Sequence, residues 1–246
     1  MEYSSFYKRI DDLRDRADRR GVLTKTAFLT PAEQAILRQY VKSDRLLTDG
    51  GQPDCERKAA FFLPDWMEPA SFDASEQIAA VRITAHFGTP THREYLGSIL
   101  GLGIVREAIG DIRILGDTAY VFCLPSVQPL LTDELRRVGR VSVTVCPCAL
   151  ADVPSPEVRV KTRTFTVKSL RLDAVAAGMF GLSRTTAAEL IRIGAAKQND
   201  LVCEHPDAPV REGDTLSLRG HGKGRLKTVG DRSKKDRIFL ETEVLL

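Results

Sequence analysis

Ser183-Arg184-Thr185-Thr186-Ala187-Ala188-Glu189-Leu190-Ile191-Arg192-Ile193-Gly194 is the stretch on which the fold reading turns. Ser183 is a favoured N-cap, because its hydroxyl can accept from a first-turn N–H that has no partner inside the helix. Gly194 is a favoured stop, so the spacing predicts a helix over 184–193, with Leu190 and Ile191 on its buried edge. Arg184 takes the first helical position, where a cation opposes the helix dipole and gains nothing locally. Beside free helix N–H groups it is instead ready for a phosphate. Arg192 lies eight residues on, about 80° around the helix, so both arginines can face one ligand. Two ordinary surface arginines are the plainer alternative.

Outward from this helix, residues from Ser169 read as an earlier helix around Leu170 and Val175, with Gly178 and Gly181 as breaks. On the other side comes Arg219-Gly220-His221-Gly222-Lys223-Gly224-Arg225. Alternating glycines let backbone approach a ligand, and the basic side chains between them can reach successive phosphates. No Gly-Lys-Ser/Thr follows a strand, so this is not a nucleotide-binding P-loop; a solvated hairpin turn is the bland alternative. Charge is distributed the same way. Residues 1–164 hold 22 basic and 22 acidic side chains, while 165–246 hold 14 and 11. Within 219–237 the count is 8 against 2, which points to a polyanionic partner at this end of the chain.

Several of these motifs together resemble the RNA-binding domain named after ribosomal protein S4. They are Arg171-Leu172-Asp173, Ser183-Arg184, Leu190-Ile191-Arg192-Ile193-Gly194, Val210-Arg211-Glu212-Gly213-Asp214 and Leu218-Arg219-Gly220. The resemblance implies two helices on a small sheet, gripping structured RNA through the second helix and adjoining loops. By position it implies RNA contacts at Ser183, Arg184, Arg192, Lys197, Arg219, Lys223, Arg225 and Lys227. Where such domains often have Val-x-Val-Asn-Gly, this chain has Ala196-Lys197-Gln198-Asn199-Asp200, keeping the asparagine and losing the glycine.

The middle of the chain predicts strand 78–85, helix 91–100, strands 111–115 and 118–124, helix 127–138 and strand 141–145. That order, βαββαβ, is the ferredoxin-like arrangement, used by RNA-recognition domains and by many enzymes and sensors. An RNA-recognition sheet needs aromatic residues on its open face. Tyr120 and Phe122 share one strand face, but the basic-Gly-aromatic consensus is absent around them, which favours core packing. Arg93, Arg106 and Arg113 are possible phosphate contacts. Pro154-Ser155-Pro156 reads as a linker, followed by a strand whose Arg159, Lys161 and Arg163 form a basic face opposite Val158 and Val160.

Residues 1–70 read as helical. Tyr3, Phe6, Tyr7, Ile10, Leu13 and Ala17 follow a helical spacing that Gly21 ends. Thr30, Pro31 and Glu33 form a capping-box start for a helix to about residue 41, and a short apolar stretch over 59–63 ends at Pro64. Glu56-Arg57-Lys58, Phe62-Leu63-Pro64, Thr91-His92-Arg93-Glu94-Tyr95-Leu96-Gly97 and residues 102–112 resemble the bacterial YlmH family. The fold expected is α+β in three parts. They are an N-terminal helical region (1–74), a central ferredoxin-like, RRM-like βαββαβ domain (75–152) and a C-terminal S4-like domain (165–246). The resemblance implies rRNA and tRNA on the large ribosomal subunit as partners, in the handling of stalled translation, with a cell-division association for some members. Family members tend to Lys-Gly-Arg near the end; this chain has Lys235-Asp236-Arg237.

Composition narrows the classes. The chain has 246 residues, 43% hydrophobic and 28% charged, the balance of a folded protein rather than a disordered one. No apolar run approaches the roughly 18 residues of a membrane span. Met1-Glu2-Tyr3-Ser4-Ser5 has neither a basic nor an apolar leader region, and five scattered cysteines suit a reducing compartment; a cytoplasmic protein is expected. Catalytic signatures are missing. No Gly-x-Gly-x-x-Gly follows a strand, and Cys146-Pro147-Cys148 has no second ligand pair for zinc. Arg171-Leu172-Asp173 resembles fragments of pseudouridine synthases but lies inside the binding module, where Asp173 reads as structural. His92 and Glu94 diverge on a helix, so packing or capping is expected of them. A non-enzymatic RNA-binding protein without cofactor or metal is the expectation. An RNA-modifying enzyme such as a pseudouridine synthase, or a protein-interaction adaptor in cell division, is the alternative.

Overall fold

Phe6, Ile10 and Ala17 are buried along one face of α1 (Ser4–Arg20), as their spacing predicts. The computed structural model describes residues 4–156, 159–233 and 236–245. Tyr3, Val158 and Lys235 therefore lie outside the described residues. The chain divides into two units, Met1–Ser155 and Pro156–Leu246.

In the first unit α1 is followed by β1 (Thr24–Lys25), α2 (Pro31–Tyr40), β2 (Leu46–Asp49) and β3 (Ala59–Phe62). The capping box forms as expected: Thr30 N–H donates to Glu33 Oε2 at 2.8 Å, and Glu33 N–H donates to Thr30 Oγ1 at 3.3 Å. The reading of 1–70 as helical misses a three-stranded antiparallel sheet, ordered β1-β3-β2. The reason is β3, which is buried on both faces. Ala60 and Phe62 pack under α1 and α2, while Ala59 and Phe61 pack the other way. A strand covered on both sides loses its alternation and reads as a short apolar run.

The rest of the unit comprises β4 (Ala79–Ala85), α3 (His92–Leu100), β5 (Ile109–Leu115), β6 (Thr118–Cys123), α4 (Gln128–Glu134), β7 (Arg137–Val138) and β8 (Val141–Cys148). The expected helix over 127–138 stops four residues early. Val138 pairs with Val141 instead, closing a two-residue hairpin loop that starts at Gly139. The sheet runs β5-β6-β4-β8-β7, with every neighbouring pair antiparallel. Val81, Ile83, Ala119 and Val121 face α3 and α4 and pack on Tyr95, Ile99 and Leu131. Ala80 and Phe122 face the opposite way and pack with Phe28 and Phe61 of the N-terminal layer. The unit is thus four layers deep, helix, sheet, sheet, helix, and packing is continuous across residue 74.

The second unit begins with β9 (Val160–Val167), then α5 (Leu172–Phe180), α6 (Arg184–Arg192), β10 (Ala196–Gln198), β11 (Leu201–Val202), β12 (Thr215–Leu218), β13 (Gly222–Arg232) and β14 (Ile238–Leu245). Its antiparallel sheet is ordered β11-β10-β12-β13-β14-β9. Leu172, Val175, Met179 and Ile191 cover one face, against Leu216, Leu218, Leu226 and Leu240. Gly178 is not a helix break. A Cβ there would lie 2.2 Å from the Phe165 ring, so its bare backbone lets β9 close on α5.

Candidate nucleic-acid interface

Ser183 caps α6 as read: its Oγ accepts from Thr186 N–H at 3.0 Å. Arg184 departs from the expectation. Its guanidinium lies 3.1 Å from the Asp173 carboxylate, which Arg171 also contacts at 3.2 Å. Asp173 is 5% exposed. Burial pushes its carboxyl upward, but hydrogen bonds from Arg171 and Arg184, with their charges, outweigh burial and hold it below its ordinary value. Arg184 therefore has a local partner after all, the opposite of a cation that gains nothing. It ties the start of α6 to the start of α5. Arg192 stands at the other end, about 12 Å along the axis at 1.5 Å per residue.

The glycine-basic run is a hairpin. Leu218 pairs with Gly222, and His221 N–H donates to Leu218 O at 2.9 Å. Gly220 and Gly222 take positive φ there, at 81° and 109°. Gly224 has a different purpose from the one read: a Cβ would meet Met179 Sδ at 2.8 Å, so this glycine seats β13 on α5 rather than exposing backbone to a ligand. Arg219 sits at the tip, and its N–H donates to Ala195 O at 3.0 Å, beside the segment leaving α6.

Register places the remaining cations on the sheet face away from the helices. Lys197, Ser217 and Lys223 stand side by side on β10, β12 and β13. Thr215, Arg225, Glu243 and Thr162 form the adjoining row. Lys223 Nζ lies 3.2 Å from Asp200. Lys227 lies 2.9 Å from Glu243 and 3.2 Å from Glu241, whose hydrogen bonds, Glu243 first, raise its ammonium above the usual value. Four of the eight expected contacts stand apart. Arg192, Lys197, Arg219 and Arg225 are exposed, and no side-chain hydrogen bond or ion pair joins them to the described residues. The sequence count over 219–237 missed Asp200, Glu241 and Glu243 as neutralisers because they arrive from the β10–β11 turn and from β14. The missing glycine at position 200 also has an answer. Asn199 and Asp200 both adopt positive φ, 51° and 67°, which their short polar side chains tolerate.

In the first unit, Arg106 and Arg113 are internal rather than phosphate-facing. Arg106 donates to Ile109 O. Arg113 is 10% exposed, lies 2.9 Å from Asp54, donates to Gln52 Oε1, and covers the Phe122 ring at 4.9 Å. Arg93 remains exposed. Thr91 and Glu94 form a second capping box, whereas His92 neither packs nor caps but is exposed. Burial, aided by Asp111, pushes the Cys55 thiol up to about 11, and burial pushes Cys123 up to about 12, so neither is poised as a nucleophile. Among the described residues no group of three or more His, Cys, Asp or Glu is placed to hold a metal, and no helix is long and apolar enough to cross a membrane.

A family model described as the putative RNA-binding domain in YlmH matches residues 69–152, the linker into the central sheet and the sheet itself. The solved structure of "Cell division protein ylmH from Streptococcus pneumoniae" shares the fold, with a TM-score of 0.53 at 20% identity, over 62% of this chain and 94% of that one. "Ribosome-associated protein quality control protein P2" of Bacillus subtilis (strain 168) is 35% identical over 214 residues, 86% of this chain and 83% of that protein. With that identity sustained across most of both chains, the chain belongs to the YlmH family.

Proposed function

We propose that this chain is a ribosome-associated RNA-binding protein that acts by binding rather than catalysis. The observation that carries the reading is the set Arg192, Lys197, Arg219 and Arg225, exposed cations with no carboxylate partner among the described residues, in the unit that holds the chain's basic excess. Of the expected contacts, Arg184, Lys223 and Lys227 are paired with carboxylates within the fold, which leaves these four for phosphates. The second unit is read as an S4-like module and the central sheet as an RRM-like one. The relative's name supports the ribosome as the place of action. The matched RNA-binding family supports RNA as the ligand. The finer reading is large-subunit rRNA and tRNA during the handling of stalled translation, in the cytoplasm.

Co-sedimentation with separated small and large subunits across a salt series tests this. Selective pelleting with the large subunit, weakening steeply with salt, is expected. Replacing the four cations with Ala should remove most of the affinity and lower the log–log salt slope by about one per residue. Pelleting with neither subunit, by folded protein, overturns the ribosome reading. An unchanged salt slope in the folded quadruple variant overturns the site.

A further inference from the structure

An RNA-recognition sheet reads unpaired bases on the face its helices leave open. Here that face is closed. Phe122, the aromatic placed where a base would stack, is 0% exposed under the N-terminal layer. Any nucleic-acid contact by this unit must use another surface.

One end of the central sheet offers the chemistry. Phe87, in the loop between β4 and α3, is 84% exposed, the most exposed large apolar side chain among the described residues. The loop is held in place rather than loose. His86 N–H donates to Ser142 O at 3.0 Å, the His86 ring lies 2.8 Å from Thr144 Oγ1, and Gly88 lies against Val141. The β7–β8 hairpin beside it carries Arg137 and Arg140, both exposed. That hairpin leans on α3, where Gly139 N–H donates to Ser98 Oγ at 3.0 Å and the Gly139 backbone lies against Glu94 of the first turn. The same first turn presents His92 and Arg93 to solvent. Two carboxylates share this end. Glu94 is held by Thr91 in the capping box, and Asp117 accepts from Thr118 Oγ1 at 3.0 Å. The Arg137 guanidinium donates to Arg140 O at 3.1 Å, which steadies the hairpin and leaves its other N–H groups open. An aromatic ring standing in water at the same end of the sheet as three exposed arginines is the composition of a stacking platform for a single-stranded base, with cations for the flanking phosphates.

We infer that the Phe87 end of the central sheet is a second RNA contact, which stacks an unpaired nucleobase on Phe87 while Arg93, Arg137 and Arg140 hold the adjoining phosphates. This rests on the RNA-binding reading above and adds to it a ligand class, unpaired RNA, and a place.

The test uses the full chain and two probes, a fluorescently labelled oligouridylate of about twelve nucleotides and a blunt RNA duplex of similar length. Phe87→Ala should weaken oligouridylate binding about five- to a hundredfold and leave duplex binding within twofold. Phe87→Trp, in a Trp66→Phe background where it is the one tryptophan, should keep the affinity and show fluorescence quenching on adding oligouridylate but not duplex. Because Phe87 buries almost nothing, both variants should fold, which circular dichroism checks. If wild type binds both RNAs and Phe87→Ala binds oligouridylate equally well, the platform is wrong and the RNA reading stands. If a folded wild type binds neither RNA at low salt, the RNA reading itself fails and takes this proposal with it.

Discussion

The central sheet and the C-terminal sheet each carry two helices on one face and differ in what covers the other. Over the central sheet lies a second sheet, and one cation found between them, Arg113, is a strut closed in by Asp54, Gln52 and the Phe122 ring. Over the C-terminal sheet the described residues of its own unit place no further layer, and its outer-facing cations are exposed or lie on carboxylates of that unit. Similar arginines on similar antiparallel sheets thus have opposite purposes. What separates them is the supply of partners: a buried guanidinium must be paired to be tolerated at all, while an exposed one costs little unpaired and stays available to a phosphate.

Arg113→Ala breaks the comparison hardest if it behaves as a surface change. It should cost about 3 kcal/mol of stability in urea unfolding, because Asp54 and Gln52 lose their shared partner. RNA affinity of the folded variant should stay within twofold of wild type. A stable variant with weakened RNA binding would place Arg113 among the contacts instead.

Asp173→Asn sharpens the contrast from the C-terminal side. Its carboxylate is buried but both its arginines reach water, so they can resolvate, and the cost should be about 1–2 kcal/mol. The sign of the pH dependence follows from the lowered carboxyl. Its contribution is complete above the unfolded value near 3.9 and is lost as pH falls through the lower folded value. Wild type should therefore lose stability relative to Asp173→Asn as pH drops below about 4, with the difference constant from pH 5 to 8. Chemical unfolding at a series of pH values reads this directly.

The smallest effect distinguishes cations within one sheet. Lys227→Ala should change RNA affinity less than twofold, since Glu243 and Glu241 already hold that ammonium. Lys197→Ala should weaken it about three- to tenfold, the loss of one phosphate contact. Equal losses at the two positions would mean that RNA strips the glutamates away and that the pairing in the free protein does not decide the interface.

Helix starts were legible because capping is local: Thr30 with Glu33 in a capping box, and Ser183 with Thr186 in a simple N-cap, are bonded as the spacing requires. Most of the chain order of elements in the centre was legible from periodicity, with Tyr120 and Phe122 packing in the core as expected. What escaped the sequence was every feature set by a distant partner. The strand over Ala59–Phe62 lost its period by being covered twice. Gly178 and Gly224 read as a break and as a ligand loop because Phe165 and Met179, which they accommodate, are far along the chain. Of the expected site, Arg192, Lys197, Arg219 and Arg225 stay exposed without partners, while Arg184, Lys223 and Lys227 are held by carboxylates that no local charge count includes.

The doubly covered strand has a consequence for how the chain is made. Phe61 and Phe28 share a core with Phe122, which lies 61 residues after Phe61 in the sequence. At about 5–20 residues per second of synthesis, the N-terminal layer waits roughly 3–12 s with its inner aromatic face uncovered before that partner has been added. During translation, the first half of this unit is an adhesive surface whose cover has not yet been synthesised.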